Sequence, residues 1–366
     1  MKTLFLGASA ASVLMSGAAA QEAFNVEALI EAARAEPAIT VYAVTGKIVE
    51  TAENFTAKYG VQAEGRKVSE AEQIELLMRE SQSNNVLGDV SVAADVAAVA
   101  AELIPGGIVE SWVPPDMEAD IAAEWREPLV IVNDPHVFTY NTELNETCPV
   151  ANIWQLTEPE YSRKVAMLDP LVKPNYADWF NQMEMHHDAE IAAAYESYFG
   201  APLETDERSA TAAWVRAYAE NQPLLGDSSA VADAVGAPGQ QNPFFGLTSV
   251  SKFRDNEAKG YKLGLCTDMV PFVGWLYPGP GVIASGTDSP NAAKLFIHYL
   301  LTAEGIAPQA VDGKISTNSQ VLLPDDEPSG ISAHFDDLMA FSMETAQDDY
   351  DARQDWQDFW RVHYSR

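Results

Sequence analysis

The stretch Ala38-Ile39-Thr40-Val41-Tyr42-Ala43-Val44-Thr45-Gly46 is a run of β-branched and apolar residues that ends on a threonine and a glycine. A run of this kind predicts a short buried strand that ends in a turn. Apolar residues then recur at helical spacing from Ile48 to Tyr59, and Gly60 is placed as a helix stop. A second strand is predicted at 61–68. A strand, a helix and a strand at this spacing predict a parallel sheet with helical crossovers, and hence an α/β protein.

The same alternation continues along the chain. Ser69 and Glu72 have the spacing of a capping box, which predicts the start of a helix. Further strands are predicted at 89–93, 129–132, 137–140, 165–168, 244–247 and 260–265, and further helices at 176–187, 191–199, 209–221 and 291–301. The acidic tail from Ile331 is predicted to be helical and to dock through an aromatic stripe formed by Trp356, Phe359 and Trp360.

Length and charge limit the possible architectures and partners. The chain has 366 residues, more than one domain usually contains, and this length predicts two domains. Its 22 Lys and Arg residues stand against 54 Asp and Glu residues, which gives a formal net charge of −32. Nucleic acids and anionic membrane surfaces bind basic faces, so this charge argues against both as partners. We interpret the acidity as solvated surface, which does not decide the charge of a ligand.

The N-terminus has the pattern of a secretory signal peptide. Lys2 gives a positive start, an apolar run follows at 4–14, and Ala18 and Ala20 form an A-x-A cleavage signal. The apolar run is too short to span a bilayer as a helix. We therefore expect residues 1–20 to be removed after Ala20 and the mature protein to be exported, most simply to a periplasm.

The two cysteines, Cys148 and Cys266, fit an exported protein. An even number of cysteines in an oxidising compartment favours a disulfide. Two buried free thiols are the alternative.

The sequence lacks several motifs that carry chemistry. There is no G-x-S-x-G nucleophile elbow, no phosphate-binding G-x-x-x-x-G-K-[ST] loop, no G-x-G-x-x-G after a strand and no H-E-x-x-H metal motif. The adjacent pair His186-His187 points to different parts of a helix surface, so we interpret it as a solvated face. The sequence therefore predicts no cofactor, no metal site and no catalytic residue.

Polar residues follow several predicted strands. Ligands of open α/β sheets bind beyond the carboxyl ends of strands, where helix N-termini offer free N–H groups to anions. Helix capping or turn formation is the simpler role for each of these residues taken alone. Their shared position at strand ends is what indicates a ligand site. The residues at such ends are Thr45, Gly46, Ser69, Asp95, Asp169, Thr248 and Ser249.

An ordered series of short motifs resembles one protein family. The chain is similar to periplasmic solute-binding proteins of ABC importers, and most similar to the branch that contains ferric-ion, thiamine and organophosphorus binders. The motifs are Val41-Tyr42-Ala43-Val44-Thr45-Gly46, Phe55-Thr56-Ala57-Lys58-Tyr59-Gly60, Gly88-Asp89-Val90, Phe138-Thr139-Tyr140-Asn141-Thr142, Trp154-Gln155-Leu156-Thr157, Lys164-Val165-Ala166-Met167-Leu168-Asp169-Pro170 and Ser289-Pro290-Asn291-Ala292-Ala293-Lys294-Leu295-Phe296.

The resemblance implies a two-lobed α/β fold of the type II binding-protein class, with mixed sheets flanked by helices and a two-strand hinge. On that pattern the first lobe is 21–137 with 277–330, the second is 138–276, and 331–366 is a C-terminal helical tail packed on the lobes. The crossings are expected near 138–141 and 273–277. The resemblance also implies a monomer that binds a small solute, delivers it to permease subunits of the inner membrane and is not an enzyme.

The expected class of solute follows from a departure from the family pattern. Ferric binders of this branch carry two consecutive tyrosines, and this sequence has no Tyr-Tyr pair. The corresponding stretch, 242–249, offers Phe244, which cannot ligate a metal, and the hydroxyls of Thr248 and Ser249. We therefore expect an organic anion or zwitterion, such as a phosphonate, phosphate ester or carboxylate.

Aromatic side chains complete the expected site. Tyr176, Phe244 and Trp275 are expected to cover the apolar part of the solute, and Asp95 to meet a cationic end if there is one. The first alternative is ferric iron held by scattered tyrosines such as Tyr140, Tyr176 and Tyr277 together with a bound anion. The second is a periplasmic enzyme with Asp95 and Asp169 as a carboxylate pair. The full set of expected ligand-binding residues is Thr45, Gly46, Ser69, Asp95, Tyr140, Asp169, Tyr176, Phe244, Thr248, Ser249, Trp275 and Tyr277.

Cleavage after Ala20 is directly testable. N-terminal sequencing of the exported protein is expected to begin at Gln21, because Ala18 and Ala20 supply the small residues of the cleavage site. A retained Met1 on exported protein would contradict the assignment of compartment.

Overall fold

The structure is a computed structural model that describes residues 24–364. The expected signal peptide at 1–20 lies outside the described residues. Among residues 24–364, no helix combines the length and the apolar character that crossing a bilayer requires.

Helices and strands alternate through most of the described chain. The α-helices are α1 Val26–Arg34, α2 Lys47–Tyr59, α3 Glu70–Gln82, α4 Val96–Ala98, α5 Pro174–His186, α6 Asp188–Phe199, α7 Ala210–Glu220, α8 Ser228–Gly236, α9 Asp255–Ala258, α10 Pro290–Leu300, α11 Ala303–Ala310 and α12 Ala346–Tyr364. The strands are β1 Ile39–Ala43, β2 Ala63–Lys67, β3 Val90–Val92, β4 Val109–Ser111, β5 Val130–Asn141, β6 Val165–Leu168, β7 Leu224–Gly226, β8 Phe245–Ser249, β9 Leu263–Leu265, β10 Gly274–Ala284, β11 Ile315–Ser316 and β12 Leu338–Met339.

The strands form one mixed sheet in the order β2-β1-β3-β10-β5-β8-β6-β7. At one end β1 pairs in parallel with β2 and β3, and at the other β6 pairs in parallel with β7 and β8. We call the part built on β1–β3 the first lobe and the part built on β6–β8 the second lobe. The predicted α/β class is therefore confirmed, and the two parallel halves meet at β5 and β10.

The central pair of strands is longer than the sequence predicts. Strand β5 is continuous where two strands, 129–132 and 137–140, were expected, because Asp134 and Pro135 keep the extended backbone and lie opposite Tyr277 and Leu276 of β10. Gly274 allows β10 to approach β5 closely, since a Cβ there would lie 2.2 Å from a main-chain oxygen of β5. The two strands thus run side by side from one lobe into the other.

Each lobe has its own apolar core. The first-lobe core packs α2 and α10 against β1 and β3, with Phe55 in contact with Phe296 at a ring distance of 4.9 Å. The second-lobe core packs α5 and α7 against β6 and β8, with Trp179 and Trp214 fully buried. Burial of such large side chains is the main favourable term in folding, and it holds each half together separately.

Local signals in the sequence explain several element boundaries. The capping box at the start of α3 is confirmed, because Ser69 Oγ accepts from Glu72 N and Glu72 Oε2 accepts from Ser69 N, both at 3.3 Å. Helix α2 ends at Gly60, which has a φ of +72°, a left-handed conformation that glycine adopts without strain. The disulfide between Cys148 and Cys266 is also confirmed, and the alternative of two free thiols is wrong.

The tail differs from the prediction in its first part. Residues 331–345 form short 3₁₀ turns and β12 rather than an α-helix, and α12 begins only at Ala346. The aromatic stripe does dock: Trp356 and Trp360 are buried, and Trp360 stacks on Phe180 of the second lobe at 5.6 Å. Helix α12 is therefore part of the folded core.

Arg353 of α12 joins the two lobes. Its guanidinium donates to Asp95 of the first lobe at 2.8 and 3.0 Å and to Asp178 of the second lobe at 2.7 and 2.9 Å. Both carboxylates are buried, at 5% and 0% exposure. Bidentate bonds of this kind are the strong form of the ion pair, and each buried acid depends on this single cation.

Loss of this cation is expected to destabilise the fold. Arg353→Met should lower the free energy of unfolding by about 3–5 kcal/mol, because two buried carboxylates lose their partner. Urea unfolding measures the change. Arg216→Gln is the matched control, since Arg216 pairs with Glu207 and Glu220 at the surface; its loss should be below about 1 kcal/mol. Equal losses in the two variants would contradict the role of Arg353.

Candidate functional site

A cleft of about 550 Å³ lies between the lobes, above β5 and β10. The first lobe contributes residues that follow β1 and β2, and the second lobe contributes residues that begin α5 and α8 or follow β8. The crossing strands form its floor. This is the position expected for a ligand in an open α/β fold, beyond the carboxyl ends of strands.

The first-lobe wall is built from two helix N-termini. Thr45 and Gly46 begin α2, where Thr45 Oγ1 accepts from Lys47 N at 3.3 Å and Gly46 supplies no side-chain cap. Ser69 begins α3, and Lys67 at the end of β2 also lines the cleft. Helix N-termini and a lysine both favour a bound anion.

The second-lobe wall adds two more helix N-termini. Helix α5 begins beside Lys173 without a side-chain cap. Helix α8 is capped by Asp227, which accepts two backbone N–H bonds of the first turn at 2.8 and 2.9 Å. Beside this turn, Lys252 Nζ donates to Ser229 Oγ at 3.0 Å.

Asp134 on the floor is a satisfied carboxylate. It accepts from Ser249 Oγ at 2.7 Å and from Lys314 Nζ at 3.0 Å. Burial alone would raise the pKa of Asp134, but Lys314, His136 and the bond from Ser249 outweigh burial and lower the pKa below its usual value. Asp134 is therefore ionised and already paired with a cation.

His136 on the floor is a neutral imidazole. Burial lowers its pKa to about 4, although Asp134 acts in the opposite direction. Its Nδ1 lies 3.0 Å from the hydroxyl of Tyr176, which itself donates to Leu247 O at 3.3 Å. A neutral imidazole has one donor and one acceptor nitrogen, and the direction of the bond between Nδ1 and Tyr176 determines which is which.

Basic side chains are concentrated around the cleft. Most of them have carboxylate partners: Lys173 with Glu70, Lys314 with Asp134, and Arg254 with Asp312. The bond that Lys252 makes is to a hydroxyl, and burial, followed by the charge of Arg254, lowers the pKa of Lys252. Of the 22 Lys and Arg residues in this acidic chain, the ones that line the cleft are Lys67, Lys173, Lys252, Arg254 and Lys314.

Glu70 crosses the cleft to the other lobe. It is the first residue of α3, its exposed fraction is 4%, and Lys173 Nζ donates to its Oε2 at 3.3 Å. Burial, and then the charge of Asp95, raises the pKa of Glu70 to about 8. The pair therefore links the lobes through a carboxyl group that takes up a proton far more readily than an exposed glutamate.

The structure brings together part of the predicted site. The expected residues that line the cleft are Thr45, Gly46, Ser69, Ser249 and Tyr277. Tyr277 is held by a hydrogen bond from its hydroxyl to Ala94 O. These residues come from both lobes and from the floor.

The two expected aspartates serve other roles. Asp95 lies outside the cleft lining, because its carboxylate caps α4 through Ala98 N at 2.9 Å and pairs with Arg353. Asp169 forms a turn by accepting from Leu171 N at 2.9 Å and also lies outside the lining. Asp95 was expected to meet a cationic group of the solute. In the structure its carboxylate instead pairs with Arg353.

Two expected aromatic residues support the floor from below. Tyr176 and Trp275 are fully buried and outside the cleft lining. Trp275 packs on the ring of His136 at 5.0 Å and stacks on Trp179 at 5.7 Å. They fix the position of His136, and the structure does not bring either ring to the cleft surface.

Three further expected residues lie inside the second lobe. Tyr140 donates to Glu146 O at 3.2 Å, Thr248 is fully buried, and Phe244 packs against the second-lobe core. All three are outside the cleft lining. In β8 the side chain of Thr248 points to the opposite face from that of Ser249, because successive residues of a strand alternate.

Most charged residues of the cleft were not predicted from the sequence. One signal was present: Asp227-Ser228-Ser229 before a small apolar run is a helix-cap pattern, and it marks α8. The other residues come together only through the tertiary fold. The missed charged and polar lining residues are Lys67, Glu70, Glu72, Asp134, His136, Lys173, Asn175, Asp227, Ser228, Ser229, Lys252, Arg254 and Lys314.

The tyrosines of the ferric alternative are engaged elsewhere. The hydroxyls of Tyr140, Tyr176 and Tyr277 donate to main-chain oxygens, and burial raises the pKa of each. Within residues 24–364, no group of three or more His, Cys, Asp or Glu side chains is arranged to hold a metal ion.

A sequence model of bacterial extracellular solute-binding proteins matches residues 39–313, which is most of the chain. The chain belongs to this family. No curated protein sequence matches this solute-binding protein significantly.

Solved structures share the fold of this solute-binding protein. Iron-bound HitA from Pseudomonas aeruginosa aligns with a TM-score of 0.66 at 13% identity, over 89% of this chain and 99% of that one. AfuA from Actinobacillus pleuropneumoniae, with exogenous fructose-6-phosphate bound, aligns at 0.65 and 17% identity, over 89% and 99%. AgtB from A. tumefaciens, in complex with agropinic acid, aligns at 0.61 and 12% identity, over 90% and 99%. The fold is that of the two-lobed periplasmic binding proteins, and the named ligands of these three differ.

The raised pKa of Glu70 predicts a pH effect on stability. A carboxyl with a pKa of about 8 in the folded protein and 4.5 as its ordinary value binds its proton more tightly when folded, so stability is lost as the pH rises between these values. We expect the melting temperature to fall less in Glu70→Gln than in the unmodified protein between about pH 5.5 and about pH 8.5. Glu75→Gln, an exposed change on the same helix, is the control and should keep the original slope. If the melting temperature has the same pH dependence in all three proteins, the burial of an ionisable Glu70 is contradicted.

Proposed function

We propose that this protein is the periplasmic solute-capturing component of an ABC importer. It binds a small organic anion or zwitterion, such as a phosphonate, phosphate ester or carboxylate, and delivers it to a membrane permease. The lobes are 21–137 with 277–330 and 138–276, and the protein acts as a monomer. The family membership and the two-lobed fold support the capture role, and the chemistry of the cleft supports the class of solute.

The observation that carries the proposal is the state of Lys252. Its ammonium lies in the cleft and donates to Ser229 Oγ rather than to a carboxylate. In a chain with 54 acidic residues, a partly buried lysine is expected to pair with a carboxylate. Lys252 is an exception because its bond is to a hydroxyl, as a binding site for an anion requires. An anion beside Lys252 would accept charge-assisted hydrogen bonds from its ammonium.

The surrounding groups support the same conclusion. Ser229 and Ser251 offer hydroxyl donors next to Lys252, and Arg254 adds a second positive charge. The N-termini of α2, α3, α5 and α8 all lie at this cleft. Backbone N–H groups and the helix dipole stabilise anions without further basic residues.

Ferric iron is the second candidate, because iron-bound HitA has the same fold. The cleft offers one tyrosine, Tyr277, and its hydroxyl is bonded to Ala94 O. Ferric binding through tyrosine would need several phenolate oxygens at one point. The positions of Tyr140 and Tyr176 outside the cleft therefore support the organic anion.

A thermal-shift screen tests the proposal. The panel holds phosphonates, phosphate esters, carboxylates, polyamines, thiamine and ferric citrate. A true solute at a hundred times its Kd adds about 2.7 kcal/mol to the free energy of unfolding, which is a visible shift. A shift with an organic anion supports the proposal. A visible iron charge-transfer band with ferric citrate that is lost in Tyr277→Phe would instead support iron.

The role of Lys252 is tested on whichever anion binds. Lys252→Gln is expected to raise the Kd at least about tenfold, because a charged hydrogen bond of about 1.5–3 kcal/mol is removed. Isothermal titration calorimetry measures the Kd. Lys259→Gln is the matched control: Lys259 lies outside the cleft lining and pairs with Asp255 at 3.0 Å. An unchanged Kd in Lys252→Gln would place the anion elsewhere.

A further inference from the structure

Two buried side-chain oxygens at the cleft have no hydrogen-bond partner, and the one on Glu70 is an acceptor when Glu70 is ionised. They are Glu70 Oε1 and Asn175 Oδ1, and both residues line the cleft. Their exposed fractions are only 4% and 5%. Buried polar atoms in proteins are normally hydrogen-bonded, so two such atoms at one cleft call for a donor that the chain does not supply.

His136 on the floor also lines the cleft. Burial lowers the pKa of His136 to about 4, so its ring is neutral at physiological pH and can present one acceptor nitrogen. We call Glu70, His136 and Asn175 the acceptor cluster.

The members of the acceptor cluster line one cleft although they come from different elements. Glu70 belongs to the first lobe, Asn175 to the second and His136 to the crossing strand. Lys173 relates them: it bonds to Glu70 at 3.3 Å, lies two residues before Asn175 at the start of α5, and acts on His136 through its charge.

General acidity does not explain the cluster. The other carboxylates of the cleft are satisfied: Asp134 by Lys314 and Ser249, Asp227 by the first turn of α8, and Glu72 by the capping box with Ser69. Among the cleft lining, the buried oxygens without a partner are thus on Glu70 and Asn175, while Lys252 bonds to a hydroxyl.

We propose that the solute is a bifunctional anion, whose anionic group binds at Lys252 and Ser229 while an ammonium or hydroxyl group of the same molecule donates to the acceptor cluster. This inference rests on the proposed function. An anion that carries only acceptors leaves Glu70 Oε1 and Asn175 Oδ1 without partners, so a simple alkyl phosphate or carboxylate should bind less tightly than its donor-bearing analogue.

Matched pairs of probes test the inference by isothermal titration calorimetry at about pH 9, where Glu70, with a pKa of about 8, is ionised and its Oε1 is an acceptor. The pairs are ethyl phosphate with 2-aminoethyl phosphate, n-propyl phosphate with glycerol 3-phosphate, and propionate with β-alanine. In at least one pair the donor-bearing member is expected to bind at least about tenfold more tightly, which corresponds to about 1.4 kcal/mol. The pair that shows the difference tells an ammonium donor from a hydroxyl donor.

Two variants connect this preference to the cluster. Glu70→Gln keeps an oxygen for Lys173 and places an amide donor where Oε1 was, and Asn175→Ala removes the second acceptor. Each is expected to reduce the preference within the pair to below about threefold, while the Kd of the donor-free member stays within about threefold. Glu75→Gln on the exposed face of α3 is the control and should keep the full preference. If Glu70→Gln fails to fold, Asn175→Ala decides.

The outcomes separate this inference from the proposed function. Equal binding of both members of every pair, with loss of binding in Lys252→Gln, would overturn the inference and leave the proposed function standing. A preference that survives in both cluster variants would also overturn it. Absence of binding by all six probes would overturn both proposals.

Discussion

The antiparallel pairing of β5 with β10 is the constraint on which the rest of the molecule depends. These strands are the link between the two parallel halves of the sheet, and they carry the floor of the cleft. Gly274 permits their close approach, and the register sets Asp134 opposite Tyr277. A shift of one residue would turn the floor residues to the opposite face, so the register of this pair determines the cleft.

The cleft shows how a strongly acidic chain can gather basic side chains and helix N-termini at one place. The carboxylates near the site are used for internal tasks: they cap helices, pair with lysines or hold Arg353. The lysines and helix N-termini then determine the electrostatic potential in the cleft. Salt screens the distant surface charges, so the net charge of the chain contributes little to that potential. The net charge of the sequence therefore describes the surface of the protein, and the electrostatic potential in the cleft differs from it.

The sequence predicted the elements whose signals are local. The strand at 39–43, the capping box at Ser69 and the α/β class needed only near neighbours along the chain. The cleft needed contacts between distant residues, and there the predictions were less complete. Asp95 is the clearest case, since its partner Arg353 is 258 residues away and no local sequence pattern predicts the pair. Helix α8 was missed because its small residues have a weak apolar pattern, although Asp227 marks its start.

The place of Arg353 near the end of the chain also affects the order in which the protein is built. A ribosome makes Asp95 and Asp178 long before it reaches α12, and until then both carboxylates lack the cation that their burial requires. The two apolar cores are built largely from residues that precede α12, whereas the ion pair between the lobes is completed only once α12 has been added. A premature stop shortly before α12 therefore leaves a chain with most of its core and without the ion pair that joins its halves.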